Sequence, residues 1–303
     1  MATGPLARPG ARELALMGIA VIGISVSGPL IVATAAPALA IAFWRCILGS
    51  SLTGIWVAWR RRGEVRSLTR RQWTLVCLAG VFLGAHFATW VPSLRLTTVA
   101  SSTALIATQP IWAALIARAR GARIPGRAWL GIAVAIAGVV VLAGIDVRID
   151  PRSLIGDALA LAGAVFAALY VTVAERARQS TSTATATFGL YGSAAAVLLV
   201  LCLVLGQPLA GYPTQAWVLI AALTIASQLI GHTLFNTVLA TVSATVVSLV
   251  ILLEAPGATI IAALTLGQIP PLGVLPAIGL LFLGLVIVIR SSTASTPTES
   301  PPV

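Results

Sequence analysis

A chain of 303 residues that is 58% hydrophobic and only 9% charged cannot cover itself with a water-facing surface, because a soluble domain is about 25% charged. The formal charge of +11 is no nucleic-acid footprint: all 19 basic residues are Arg, and they flank apolar runs, where they set topology and meet anionic headgroups. Cys46, Cys77 and Cys202 fall inside apolar runs without disulfide or metal-ligand spacing, so they read as packing residues, and no metal or other cofactor is expected.

The apolar runs approach the roughly 20 residues that cross a bilayer, and backbone groups in lipid must be satisfied within their own segment, so the runs are helices. The ~10-residue alternating segments of a membrane barrel are absent. In chain order the spans are 14–33, 39–59, 73–92, 99–117, 128–144, 156–174, 186–205, 215–235, 243–266 and 272–290. Pro37, Pro92, Pro125, Pro151, Pro208 and Pro270 mark their ends. Residues 1–13 form a cytoplasmic N-terminus, and 291–303, rich in Ser, Thr and Pro, a disordered cytoplasmic tail. A signal peptide is the competing reading of the start, from Arg8, Arg12 and Ala33-Thr34-Ala35-Ala36. Its apolar core would be too long, and cleavage would remove a helix that the repeat described below needs.

Alternate connections are basic. Arg60, Arg61, Arg62, Arg66, Arg70 and Arg71 follow the second span, Arg118, Arg120, Arg123 and Arg127 the fourth, and Arg176 and Arg178 the sixth; Arg290 ends the tenth. The opposite connections hold Arg95, Arg148 and Arg152 beside Asp146, Asp150 and Asp157. The positive-inside rule then puts both termini in the cytoplasm of a plasma-membrane protein.

The chain also matches itself at a spacing of 146. His86, Ser102, Pro110, Gly121, Pro125 and Gly138 fall on His232, Ser248, Pro256, Gly267, Pro271 and Gly284. The halves 14–144 and 156–290, joined by an external linker at 145–155, each hold five spans. An odd number forces the second copy to enter the membrane from the other side, giving two inverted repeats in an all-α membrane fold. The basic Arg118, Arg120, Arg123 and Arg127 correspond to Leu264, Leu266, Ile269 and Gly273, as inversion predicts.

Several motifs carry a resemblance: Phe43-Trp44-Arg45, Thr108-Gln109-Pro110, the turn from Gly121 to Pro125, Leu253-Glu254-Ala255-Pro256 and Leu266-Gly267-Gln268. Over about residues 14–290 the chain resembles the drug/metabolite transporter superfamily, EamA type. The resemblance implies ten helices in two five-helix repeats and transport of small metabolites, often by export. Gln268 stands where that family often has Glu, and the first span offers only Ser25 and Ser27 where small multidrug relatives carry a membrane Glu.

Ionisable residues inside a membrane usually mark a pathway. Glu254 reads as a proton carrier or a binder of a cationic group, against a structural ion pair with Arg45. Arg45 reads equally as an anion binder and as a structural residue. Gln228, His232 and Asn236, spaced by four, make a polar stripe that drifts about 40° per step, and Phe82, His86 and Trp90 are their counterparts. Trp44, Trp90 and Trp112 offer an aromatic wall, with Thr108 on the face of Trp112. Pro110 and Pro256 are paired hinge candidates, and His232 is the second candidate for proton coupling.

The expected function is a secondary transporter, an exporter of an amino-acid-like or amphipathic compound, working by alternating access. The expected partners are that small molecule and the bilayer, with no nucleic acid, and pairing with a second copy of the chain stays open. A passive channel or a non-transporting component is the alternative. An enzyme is disfavoured, since there is no metalloprotease pair and no nucleophile elbow, and the one Asp inside a span, Asp157, stands at its very start.

Overall fold

The computed structural model describes residues 10–121, 123–178, 180–238 and 250–293, without the side chains of Val147, Asn236, Ser292 and Thr293. Among the described residues every regular element is helical. Helices α1 (Ala11–Ser25) and α2 (Ser27–Ala33) make the first span and α3 (Ala38–Arg60) the second. A short α4 (Arg62–Ser67) leads to α5 (Arg70–Ser93); α6 (Val99–Ile106) and α7 (Gln109–Ala119) share the fourth span, and α8 (Gly126–Ile149) is the fifth. Then come α9 (Ser153–Arg178) and α10 (Thr183–Val204). The eighth span joins α11 (Thr214–Leu223), a π-helix (Thr224–His232) and α12 (Thr233–Val238), and α13 (Glu254–Leu266) and α14 (Val274–Thr293) finish the fold.

Nine of these spans are long and apolar enough to cross a membrane, and α13 is a shorter apolar helix. This is the all-α membrane fold read from the sequence. Residues 239–249 and the expected tail beyond residue 293 lie outside the described residues. One expectation fails: α8 continues to Ile149 and α9 begins at Ser153, so Asp146 and Asp157 belong to the span helices and are buried. Only Asp150, Pro151 and Arg152 connect the two helices. The charges of this stretch had suggested a longer loop.

Local chemistry sets the helix ends. Thr69 and Gln72 form a reciprocal capping box at the start of α5. Thr98 caps α6 through the Ser101 N–H, and Ser182 caps α10 through that of Thr185. Spans four and nine are interrupted alike. α6 ends at Ile106, Ala107 and Thr108 turn, and α7 restarts with Pro110 in its first turn. α13 starts at Glu254 with Pro256 in its first turn. A first-turn proline lacks an N–H that would have had no partner anyway. The prolines expected as paired hinges therefore stand at interruptions, where they start new helices rather than bend continuous ones. Thr108 and Glu254, which are 146 residues apart, both stand at the breaks.

The packing respects the repeat. Span two lies on span seven, five on ten and four on nine, while span three packs on six as eight packs on one. The crossing of α8 and α14 rests on the matched pair Gly138 and Gly284. A Cβ at Gly138 would stand 2.6 Å from the Leu281 amide nitrogen, and one at Gly284 2.5 Å from the Gly131 carbonyl oxygen. Such glycine contacts are the usual source of close helix approach where lipid removes the hydrophobic drive. Gln268 ties the repeats at the other end, its Oε1 accepting from the Val99 N–H at 3.2 Å.

At the Arg-rich end, α4 of the first repeat closes on the start of α10 in the second. Glu64 accepts from the Ser182 N–H at 2.6 Å and from its hydroxyl at 2.7 Å, with Arg61 4.0 Å away. Partial burial pushes the Glu64 carboxyl up, but the Ser182 and Thr185 bonds and Arg61 outweigh it and hold the group below its ordinary value. A lowered folded-state value stabilises above the unfolded value, about 4.3, and that stability is lost as pH falls through the folded value. The melting temperature of wild-type protein in detergent should therefore drop more steeply from pH 5 to pH 3 than that of Glu64→Gln. Parallel profiles would mean that this contact does not support the fold.

Candidate functional site

Arg45 is wholly buried in α3. Its Nε donates to Gln228 Oε1 at 2.9 Å, while Nη1 and Nη2 reach Ser27 Oγ at 3.4 Å and Ser227 Oγ at 3.3 Å. The guanidinium carbon stands 4.3 Å from the centre of the Phe87 ring. The π-helix supplies both Ser227 and Gln228, and the α1–α2 break at Val26 supplies Ser27. Gly49, one turn after Arg45, leaves room for the amide: a Cβ there would meet Gln228 Nε2 at 2.6 Å. No ion pair between Arg45 and Glu254 forms among the described residues, so the alternative of a structural pair is not realised and Arg45 hydrogen-bonds to neutral groups instead.

Beside this cluster lies a cavity of about 170 Å³. It is bounded by Ile24 and Ser27, by Leu83, His86, Phe87 and Trp90 of α5, by Thr103, Ile106, Ala107, Gln109 and Pro110 around the α6–α7 break, and by Ala167, Tyr170 and Val171 of α9. Ser227, His232, Phe235, Ile251, Leu252, Glu254 and Ala255 close the other side. His86 Nδ1 stands 3.0 Å from the Gly163 carbonyl. A carbonyl only accepts, so Nδ1 carries a proton and donates it to this bond. Trp90 stacks on His86 at 5.6 Å, and its indole N–H is buried with no hydrogen-bond partner. Glu254 is half-buried in the first turn of α13, where the positive end of the helix dipole favours a carboxylate.

The structure thus brings His86, Trp90, His232, Glu254 and Pro110 around one space, and both histidines of the repeat face it. Arg45 and Gln228 stand behind it. Trp44 is not among its lining residues: its indole donates to the Leu209 carbonyl at 2.9 Å and packs edge-on against Trp217. Trp112 donates to Thr108 Oγ1 at 3.1 Å, and the Thr108 hydroxyl donates to the Leu105 carbonyl at 2.7 Å, so this pair braces the α6–α7 break. Pro256 is exposed, and the Asn236 side chain lies outside the described ones. The expected wall of Trp44, Trp90 and Trp112 is replaced by Phe87, Trp90, Tyr170 and Phe235. Phe87 adjoins His86 and Ser227 adjoins Gln228, so both were within reach of the sequence. Tyr170 carried no local signal, and the π-helix carried none.

The EamA-like transporter family model matches residues 12–144 and again 154–290. The chain belongs to this family. A solved structure titled "Crystal structure of protein" is 21% identical, with a TM-score of 0.64, covering 92% of this chain and 97% of that one; it supports the fold alone. No match was found among curated proteins. Membership makes this EamA-like protein a multi-pass membrane transporter.

Replacing Gln228 by Leu would leave the buried Nε–H of Arg45 without its acceptor. Losing a hydrogen bond to a charged buried group costs about 1.5–3 kcal/mol. Gln228→Leu should therefore be less stable than wild type by roughly that amount in denaturant titrations, while Ser227→Ala, at the longer 3.3 Å contact, should lose less.

Proposed function

We propose that this EamA-like protein is a secondary transporter in the plasma membrane, with both termini cytoplasmic, that exports a small amphipathic metabolite bearing an amine. The observation that carries this reading is the cavity shared by the two repeats. It has one carboxylate, Glu254, set among aromatic rings. The guanidinium of Arg45 is held by Gln228, Ser27 and Ser227 rather than paired with Glu254, so the carboxylate is left open to a cation and an anion meets no positive group lining the cavity. Ring faces add attraction for an ammonium group. An apolar cavity of ~150 Å³ accepts benzene, so the ~170 Å³ here suits a body of about one ring or a branched aliphatic chain.

The same arrangement supports alternating access as the mode of transport. The breaks at Ala107–Thr108 and Leu253–Glu254 leave short half-helices against the cavity, each able to swing about its own proline-started turn. Glu254 would alternate between proton and substrate amine, which couples export to proton entry.

Proteoliposome flux tests the reading. With an inward proton gradient, wild type should concentrate a small lipophilic amine. Glu254→Gln should lose at least tenfold of gradient-driven flux, whereas His86→Gln and His232→Gln should retain coupling. Gradient-driven flux that survives in Glu254→Gln would reject the carboxylate as carrier, and flux without saturation or trans-stimulation would favour a channel. The topology is checked separately: an epitope at position 65 should be reachable only from the cytoplasm, and one at position 150 only from outside.

A further inference from the structure

A second polar cluster lies away from the cavity, where α8 ends and α9 and α6 begin. Asp146 and Asp157 are 2% and 3% exposed. Asp146 Oδ2, both carboxylate oxygens of Asp157 and the Thr97 hydroxyl oxygen are buried with no hydrogen-bond partner. The Thr97 backbone packs directly on the first turn of α9, since a Cβ on Gly156 would stand 2.9 Å from the Thr97 nitrogen. The Ser101 hydroxyl lies beside Asp146. The Thr97 hydroxyl lies beside Asp157 without the geometry of a hydrogen bond, and even one such donor would leave most of these oxygens without a replacement for water, which is costly.

The two carboxylates are not hydrogen-bonded to each other, so a proton shared between them does not account for the arrangement. Arg95, two residues before Thr97, is engaged with the carbonyls of Ile31, Thr34 and Ala36, and Arg148 and Arg152, nearer to the carboxylates in sequence, are exposed. What satisfies several buried carboxylate and hydroxyl oxygens at once is a hard cation, and with no nitrogen or sulfur donor in the set the chemistry does not select a transition metal. The carboxylates bring about two negative charges. The N-terminal ends of α6 and α9 offset roughly half a charge each, and the C-terminal end of α8 adds about half a charge back. Between about one and two units of negative charge are left, which a monovalent cation reduces without reversing the sign of the site.

We propose that Asp146, Asp157 and the hydroxyls of Thr97 and Ser101 form a binding site for a monovalent hard cation, Na⁺, at the end of the molecule opposite its Arg-rich loops, separate from the Glu254 cavity. The carboxylates supply the charge and the hydroxyls complete the oxygen shell. The site ties spans four, five and six together, and α6 leads from it to the break at Thr108, so occupancy bears on the wall of the cavity.

The test is binding to the purified full-length protein, which keeps it independent of the transport reading. Melting temperature and equilibrium dialysis of ²²Na⁺ are measured in detergent at constant ionic strength, with choline replacing Na⁺ and with K⁺ and Ca²⁺ in parallel. Saturable stabilisation and binding by Na⁺ are expected in wild type and in Glu254→Gln. Both should be lost in Asp146→Asn and Asp157→Asn. Thr97→Val, which keeps shape and does not introduce a new charge, should raise the half-saturating Na⁺ concentration by about tenfold; it serves if the Asn variants do not fold. Equal behaviour in Na⁺ and choline overturns the proposal, as does an unchanged Na⁺ response in Thr97→Val. Saturation by Ca²⁺ in preference to Na⁺ would replace it with a divalent site.

Discussion

A guanidinium removed entirely from water must find acceptors inside the protein, and Arg45 takes them from two different helices. Charge burial in a membrane is costly unless hydrogen bonds surround the ion, so the partners of Arg45 are as constrained as Arg45 itself. Adjacent residues in an α-helix point about 100° apart. Ser227 and Gln228 nevertheless both reach the guanidinium, and the wider winding of the π-helix lets them do so. Gly23 and Gly231 let α1 and the π-helix approach closely, since a Cβ on Gly23 would meet the Ala226 carbonyl at 2.6 Å. The geometry of three spans is thereby set by one side chain.

That constraint also shapes the electrostatics of the cavity. An Arg facing it would have made a site for either sign of charge. With the guanidinium turned away and satisfied, Glu254 meets the space beside rings and imidazoles, supported mainly by the first turn of α13. Helix breaks are tolerated at this depth because they line a cavity. The break thus supplies a helix N-terminus at the point where a half-buried carboxylate needs one.

The ten spans and the repeat were legible because they rest on long-range regularities: apolar length, Arg asymmetry and a constant spacing of 146. The site was legible in part. His86, His232 and Glu254 stand out because ionisable groups are rare in these spans. Trp44 and Trp112 misled, since an aromatic residue near the middle of an apolar run has the same sequence signature whether it faces a cavity or braces a loop. Only the Leu209 carbonyl and the Thr108 hydroxyl decide that. Asp146 and Asp157 misled in the opposite direction. Four acidic or basic residues from Asp146 to Arg152 read as a loop, yet the helices run into this stretch and bury both carboxylates. Charge marks a boundary only where the side chain reaches water, and these two do not.

Inverted repeats begin with two like halves, and the function depends on where they differ. Thr108 and Glu254 occupy matching breaks, but only one brings a carboxylate to the cavity. Asp146 and Asp157 correspond to Ser292 and Ala11, so the paired carboxylates also exist at one end of the molecule only. A symmetric carrier would exchange its two faces without distinguishing them. Here the polar investment of the second repeat lies at the centre, in Glu254, Ser227 and Gln228, and the acidic pair lies at the end away from the arginine loops. A cation at that end and a proton or amine at Glu254 would each favour one disposition of span four, which runs between them through α6. The asymmetry laid over the repeat therefore separates the central carboxylate from the acidic pair at the far end; it does not by itself set a direction, which the gradients do.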